Sequence, residues 1–290
     1  MESLKKLYRK YMPVALRNYC GEIRTERIKK RCFEEVKSGK WMSDYRAESE
    51  YMIKKGKLIT FPYLWTEEYN AKDIDVLYDI DKAMPYVKVQ NRKLYFPAKY
   101  PKKYIQKYFN SILIEQDCRS THFYFDLDKV DFKESTFFDI GGAEGFISLI
   151  VAPYVKQILI FECDPDWIKA LEMTFEPWKE KTQIINKFVS SKTSEDEICL
   201  DEIELNCKKV ILKIDVEGME LDVLKGADML LKLDETQVYV CSYHKKNDEV
   251  VLSEFLEKYG FSVTKSEGYM FYGYEADAGF RKGMIRAKKL

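Results

Sequence analysis

Histidine is scarce in this chain: 290 residues contain only His122 and His244. The seven cysteines, Cys20, Cys32, Cys118, Cys163, Cys199, Cys207 and Cys241, include no C-x-x-C pair. Zinc knuckles and a disulfide framework are therefore both excluded, and buried, reduced thiols are expected. No run of about 18 uncharged apolar residues occurs, so no membrane-spanning helix is expected. The first residues, MESLKKLYRKYMPVAL, interrupt their apolar positions with Tyr, Arg, Lys and Pro. That pattern lacks the unbroken h-region of a secretory signal, and a cytoplasmic location is expected. An excess of charge is missing too: 48 basic and 48 acidic side chains balance. Without a global basic field, nucleic acid is not an expected partner.

The chain does hold enough residues for one large domain or two modest ones. Its texture changes near residue 133. The region 1–130 reads as a helical and β-hairpin accessory region. Within it the pattern predicts a helix over 2–37, a loop-rich stretch from Trp41 to Trp65, and a hairpin of residues 86–89 and 93–96 joined by Gln90, Asn91 and Arg92. Residues 1–40 carry 12 Lys or Arg against 5 Glu. Such a face suits solvent, or an acidic lipid or polysaccharide surface, including a peripherally contacted membrane or a lipid-linked substrate. Fourteen of the 21 tyrosines precede residue 131. Their rings either pack a small core or stack on sugar acceptors, and the helical segments are equally compatible with a homodimer.

Region 131–290 alternates short β-type runs with helical patterns, which predicts an open α/β sheet. The expected order is strand 136–140, helix 145–153, strand 157–161, helix 166–175 and strand 183–189, ending at Ser190. Strand 210–214, helix 220–231, strand 238–241 and helix 248–259 follow. Runs at 261–264, 269–272 and 284–287 supply closing strands, including a reversed final hairpin. The fold class is thus α/β: a doubly wound, Rossmann-like sheet.

The first strand of that sheet runs into FDIGGAEGF, residues 138–146. A strand that stops at a glycine turn before a helix brings backbone N–H groups beside a ligand. The strict dinucleotide fingerprint fails, because the glycine frame is Gly141-x-x-x-Gly145 with Gly142 as an extra. Asp139 and Glu144 also place carboxylates where a pyrophosphate would sit, at a cost of about 1 to 4 kcal/mol per close like-charge pair. A cationic nucleoside without phosphate, S-adenosylmethionine (SAM), fits this turn better than NAD. The next strand ends at Glu162, 23 residues after Asp139, where a carboxylate can accept hydrogen bonds from ribose hydroxyls. The candidate cofactor-binding residues are therefore Asp139, Gly141, Gly142, Ala143, Glu144, Gly145, Glu162, Cys163 and Ser190. Glu115 and His122, in the segment before the first strand, are candidates to cover the donor.

Asp139-Ile-Gly-Gly-Ala-Glu-Gly145, Phe161-Glu162, Leu200-Asp201 and above all Lys213-Ile-Asp-Val-Glu-Gly218 resemble the FkbM-type methyltransferases, over residues from about 112 onward. The resemblance implies the class I methyltransferase fold, SAM as methyl donor, and a sugar or natural-product hydroxyl as acceptor. Two positions depart from the common family pattern, with Ala143 in place of Asn and Cys163 in place of Pro.

Ligands of open α/β sheets bind outside the carboxyl ends of the strands. Lys213, Asp215 and Glu217 lie at such an end, and strand alternation gathers them on one side. They are candidate catalytic or acceptor-binding residues, against a structural ion pair of Lys213 with Asp215 or Glu217. His244 ends the fifth strand, and a neutral imidazole there can accept a hydroxyl proton. The expected reaction is in-line attack of an acceptor oxygen on the sulfonium methyl, with His244 or Asp215 as general base. Asp215 and Glu217 also offer oxygens to a divalent metal, but their spacing is no metal motif and no metal site is assigned. The acceptor is expected to be a sugar, glycan or small-molecule hydroxyl. A non-catalytic sugar-binding or assembly module and an NAD-dependent dehydrogenase are the competing classes. A nucleic acid base is disfavoured, since no strand-end Asn or Asp followed by Pro-Pro and an aromatic occurs.

Overall fold

Residues 136–140 (TFFDI) pair in parallel with 157–161 (QILIF) on one side and with 209–214 (KVILKI) on the other. These three strands lie at the centre of a seven-stranded sheet. All three are buried along nearly their whole length, as strands covered on both sides are. The structure, a computed structural model, describes residues 27–204, 208–273 and 278–289.

In chain order the strands are β1 (Leu77–Asp79), β2 (Met84–Val89), β3 (Arg92–Tyr95), β4 (Thr136–Ile140), β5 (Gln157–Phe161), β6 (Thr182–Ile185), β7 (Phe188–Val189), β8 (Glu197–Ile198), β9 (Lys209–Ile214), β10 (Glu235–Cys241), β11 (Phe261–Lys265), β12 (Met270–Tyr272), β13 (Gly279–Arg281) and β14 (Met284–Lys289). The helices are α1 (Arg46–Lys55), α2 (Lys102–Glu115), α3 (Phe146–Val151), α4 (Pro165–Phe175), α5 (Glu220–Lys225), α6 (Asp228–Lys232) and α7 (Asp248–Glu257). Helical backbone also covers residues 27–37. The rest of the helix predicted over 2–37 lies outside the described residues.

The large sheet has the order β11-β14-β10-β9-β4-β5-β6. Its strands run parallel except β14, which is antiparallel to both β10 and β11. The order reverses between β4 and β9, where ligands of open sheets bind. Six parallel strands with a reversed one between the fifth and sixth make a class I methyltransferase sheet, as predicted.

Alternation along the strands separates two chemistries. Phe138, Ile140, Leu212, Ile214, Val238 and Val240 join Val223 and Leu224 of α5, Leu230 and Leu231 of α6, and Leu252 and Leu256 of α7 in one continuous core. Asp139 and Lys213, one residue off that register, share the other face and stand directly opposite each other across β4 and β9.

Several predicted elements are corrected. The helix expected over 220–231 is divided into α5 and α6 at Gly226. A Cβ on Gly226 would lie 2.2 Å from the Ser190 carbonyl oxygen, so the chain turns where Ser190 approaches. The strand expected over 183–189 splits into β6, in the sheet, and β7, which pairs with β8 instead. The run 269–272 does not close the sheet but forms a two-stranded ribbon with β13. The hairpin turns through Gln90 and Asn91 alone, at φ 48° and 65°, and Arg92 is already paired with Val89. Two positive φ values fit the primed turns that match strand twist. The stretch 41–65, expected to be loop-rich, contains α1.

The described residues group into two compact units, 27–64 with 271–273 and 278–280, and 65–204 with 208–270 and 281–289. The hairpin and α2, which precede the predicted boundary at 131, therefore belong with the sheet. In the first unit Trp41 meets Phe271 and Phe280 edge-on at 5.4 and 6.0 Å, and Tyr45 stacks on Phe280 at 4.6 Å. No helix among the described residues is long and apolar enough to cross a membrane. Of the five described cysteines, none disulfide-bonded, only Cys32 and Cys241 are buried, and Cys118 is exposed.

Candidate functional site

The turn after β4 is shaped by its neighbours. Gly141 and Gly142 both donate their N–H to the Phe161 carbonyl, at 3.1 and 3.0 Å. Gly141 has φ 80°, and a Cβ there would lie 1.9 Å from the Asp215 carbonyl oxygen. A Cβ on Gly142 would meet Ile160 Cγ2 at 2.3 Å. Gly145 has φ 77° and would meet Leu171 of α4 at 2.6 Å. The glycines thus let the turn pack between the ends of β5 and β9 and against α4.

Two cavities flank this turn and share Gly141, Ala143, Asp215 and Glu217. The first, about 290 Å³, is walled by Phe161, Glu162, Cys163, Phe188, Val189 and Val216. Glu162 is held by three backbone donors. The N–H of Ala143 reaches Oε2 at 2.8 Å, and those of Cys163 and Asp164 reach Oε1 at 2.7 and 2.8 Å. The carboxylate is fixed by the turn itself, with its remaining acceptor capacity toward the cavity.

The second cavity, about 260 Å³, collects carboxyl groups: Glu115, Asp139, Glu144, Asp215 and Glu217 line it, against the single ammonium of Lys213. That ammonium is committed. Lys213 Nζ lies 2.8 Å from Asp139 Oδ1 and donates to the Gly141 carbonyl at 2.6 Å. Burial favours its neutral form, but Asp139 and Asp215 outweigh burial and hold its pKa above the ordinary lysine value. The structural ion pair considered for Lys213 therefore exists with Asp139, its cross-strand partner, and not with Asp215 or Glu217. The second Asp139 oxygen accepts from Ser148 Oγ at 2.6 Å, and burial raises the pKa of this carboxyl. Glu144 is raised by burial as well, and accepts from the Tyr108 hydroxyl at 3.0 Å.

Asp215 is the hub. The Tyr124 hydroxyl reaches its Oδ2 at 3.1 Å and the Tyr243 hydroxyl its Oδ1 at 3.3 Å. His122 Nε2 lies 3.7 Å from Oδ2 and His244 Nε2 3.6 Å from Oδ1. Burial would raise the Asp215 pKa, but Lys213 and the two histidines overcome it and keep the value below the ordinary aspartate range. His122 lines the cavity and is pushed down to about 4, chiefly by burial, so it is neutral. Gln116 Oε1 accepts from the Tyr124 N–H at 3.4 Å, which leaves the Gln116 amide nitrogen facing His122 Nδ1 at 3.4 Å. Nδ1 then accepts, and the imidazole proton sits on Nε2, toward Asp215.

His244, the expected base, does not line either cavity. Its Nδ1 is 2.7 Å from Glu220 Oε1, on a buried carboxylate that also accepts the N–H of Val216 and Gly218. Burial lowers the His244 pKa, yet Glu220, Asp215 and Glu217 prevail and raise it. Glu220 thereby favours the protonated, positive form of His244 beside Asp215. Glu217 sits at φ 54° with its side chain 85% exposed. Ser190 and Gly145, both candidates for donor contact, line neither cavity. Ser190 Oγ is instead bonded within its own turn, to Lys192.

Two triplets bring metal-ligating atoms within 4.8 Å, His122 with Asp215 and Cys241, and Asp215 with Glu220 and His244. Glu217, considered with Asp215, is in neither. The site residues not anticipated are Tyr108, Tyr124, Tyr243, Gln116 and Glu220. Tyr108 and Glu115 are seven residues apart on α2, one stripe beside the buried Ile105, Phe109 and Ile112. That helical spacing was the available signal.

Residues 162–263 match the family model described as a methyltransferase FkbM domain. Over that span the chain is similar to FkbM methyltransferases. The match includes Glu162 and the Lys213–Gly218 run. Among solved structures, methyltransferase FkbM from Methylobacillus flagellatus is 16% identical, covering 57% of this chain and 46% of that chain, with TM-score 0.45. A putative methyltransferase from Streptococcus mutans in complex with SAH is 15% identical, covering 57% and 93%, with TM-score 0.39. A precorrin-6y C5,15-methyltransferase from Geobacter metallireducens is 17% identical, covering 54% and 81%, with TM-score 0.39. The chain thus spans less than half the length of the FkbM structure it matches. No curated protein matches the sequence.

Proposed function

We propose that the chain is a SAM-dependent O-methyltransferase acting on a hydroxyl of a sugar, glycan or related small metabolite. The observation that carries this reading is the makeup of the second cavity: five carboxyl groups line it, Asp215 stays ionised, and the one ammonium is committed to Asp139. A pyrophosphate would be repelled there, while a cationic donor is attracted. The pinned Glu162 in the adjoining cavity suits a ribose diol, and the apolar walls of Phe161, Phe188, Val189 and Val216 suit an adenine. When bound, SAM supplies an electrophilic methyl group.

The chain's own residues do the rest. Asp215, kept ionised and lining both cavities, orients the acceptor O–H and takes its proton as the oxygen forms the new bond to carbon. A carboxylate below its ordinary pKa is a weak base, so positioning contributes more here than proton affinity. Tyr124 and Tyr243 fix the two Asp215 oxygens, and His244 with Glu220 supports the charge from behind. The acceptor has a place next to this centre. A cavity of about 740 Å³ shares Gln116, Tyr124, Phe146 and Ile147 with the donor side. Phe109, Phe123 and Tyr154 line it, with Asp126 and Asp128 among its polar groups, a combination suited to sugar faces and hydroxyls.

The test is calorimetry with SAH and with NADH, followed by transfer of labelled methyl groups into a panel of hydroxyl acceptors. SAH binding without NADH binding is expected, and Glu162→Ala should weaken it at least tenfold. Asp215→Asn should lower kcat by about 10²-fold or more with donor affinity nearly unchanged. NADH binding in the absence of SAH binding would reject the proposal.

A further inference from the structure

The five carboxyl groups of the second cavity are not equivalent. Asp139 has Lys213 and Ser148, Glu144 has Tyr108, Asp215 has Tyr124 and Tyr243, and Glu217 extends toward His244 and solvent. Among the described residues no donor reaches the carboxylate of Glu115. It stands in the last turn of α2, where the helix's own carbonyls add negative potential. The one ammonium nearby is already shared between Asp139 and the Gly141 carbonyl. Glu115 is half-buried and lines the cavity. A carboxylate drawn from water without a partner is costly, and a positive ligand group would relieve that cost.

We propose that Glu115 is the carboxylate that pairs with the sulfonium of SAM, and that it thereby distinguishes the charged donor from the neutral thioether left after methyl transfer. This rests on the donor reading above. The neighbouring charges support it. Burial first, then Asp215 and Glu144, push the Glu115 pKa up to about 8, while Lys213 pulls it down. His122, Asp139, Glu217 and the hydroxyls of Tyr108, Tyr124 and Tyr243 complete the ring of titratable groups around the cavity. Near neutral pH the carboxyl of the ligand-free chain is thus mostly protonated. Pairing with a fixed positive charge ionises it, and the proton leaves to solvent. A thioether offers no such charge, so its binding releases no proton from this group. The product is then held less firmly than the donor by the same cavity.

The full chain is titrated calorimetrically with SAM and with SAH at pH 6.5 and 8.5, in buffers of different ionisation enthalpy. The sulfonium lowers the pKa of SAM's own α-amino group, so the proton count is compared at pH 6.5, where that group is protonated in both ligands, and Glu115→Gln serves as the control for its titration at pH 8.5. SAM is expected to release close to one more proton than SAH at pH 6.5. The ratio of SAM to SAH affinity is expected to rise about 20- to 30-fold between the two pH values. Glu115→Gln should remove both the extra proton and the rise, with SAH affinity within about threefold of wild type. Equal proton release for the two ligands would overturn the inference, as would a Glu115→Gln chain that keeps the difference. A variant that weakens SAM and SAH alike would overturn it too, because Glu115 would then serve their common amino-acid end. The proton count on the wild-type chain decides the matter even where the variant does not fold. If neither ligand binds, the methyltransferase reading itself fails, and this inference with it.

Discussion

Lys213 shows how a residue's chemistry is set by its register. On the sequence it is a charged side chain at a strand end, equally suited to catalysis or to an ion pair. In the sheet it stands opposite Asp139, with side-chain exposures of 7% and 1% for the two partners. Removing one partner of a buried pair leaves an uncompensated charge, at a cost of about 3 to 5 kcal/mol. Lys213→Met should therefore lose about that much stability in urea denaturation, whether or not substrate is present. Adding Asp139→Leu should restore at least half, since a well-packed apolar pair can replace a buried ionic one. A catalytic lysine would behave differently: the single variant would keep its denaturation midpoint and lose only turnover. Asp215, two residues on, is the opposite case. Its oxygens face the cavities, and its partners are hydroxyls and imidazoles that leave it ionised and accessible.

At the scale of elements, the central strands and the final reversed strand were legible because apolar runs of five or six residues bounded by turns have few other readings. The breaks were not, since they depend on contacts remote in sequence. Gly226 reads as a tolerated glycine inside a helix, and only the Ser190 carbonyl at 2.2 Å from its missing Cβ explains why α5 and α6 are separate. Likewise Phe271 reads as a sheet residue, yet it packs on Trp41 and Phe280 and donates its N–H to the Thr60 carbonyl. The glycine turn and Glu162 were readable as local motifs at fixed spacing. The tyrosines that reach Asp215 were not, because Tyr124 and Tyr243 come from segments 119 residues apart that only the sheet brings together. The Gly226 contact also carries a prediction. Ser190 directly follows β7, whose Phe188 and Val189 wall the first cavity. Gly226→Ala must displace backbone and not a flexible side chain, so it should cost about 1 to 3 kcal/mol. It should also weaken SAH binding severalfold through the shifted β7, measured by thermal denaturation with and without ligand.

Across the whole molecule, two groups of the second cavity, His122 and Glu115, oppose each other in the pH dependence of folding. His122 is held down to about 4 from 6.5, mainly by burial, so the unfolded chain binds its proton more readily than the folded one. Its contribution is complete above pH 6.5 and declines as pH falls toward 4. Glu115 is raised to about 8 from 4.5, again mainly by burial. Its contribution is complete below pH 4.5 and declines as pH rises toward 8. Between pH 6.5 and 4.5 the two slopes have opposite sign, each about 1.4 kcal/mol per pH unit. His244, raised above its ordinary value, contributes stability at low pH that is lost as pH rises through its folded pKa, so it opposes His122 near the upper end of the window. Asp139 and Glu144, raised by burial, act in the same direction as Glu115 near the lower end. The ligand-free chain should therefore change little in stability across the window. Glu115→Gln should unmask His122 and lose about 2 to 3 kcal/mol between pH 6.5 and 4.5, whereas His122→Asn should gain a similar amount. Urea denaturation at half-unit pH steps on the three chains reads this directly. Parallel curves for all three would mean that neither group is perturbed by the cavity, and that its carboxyl groups are screened by water instead of facing a dry wall.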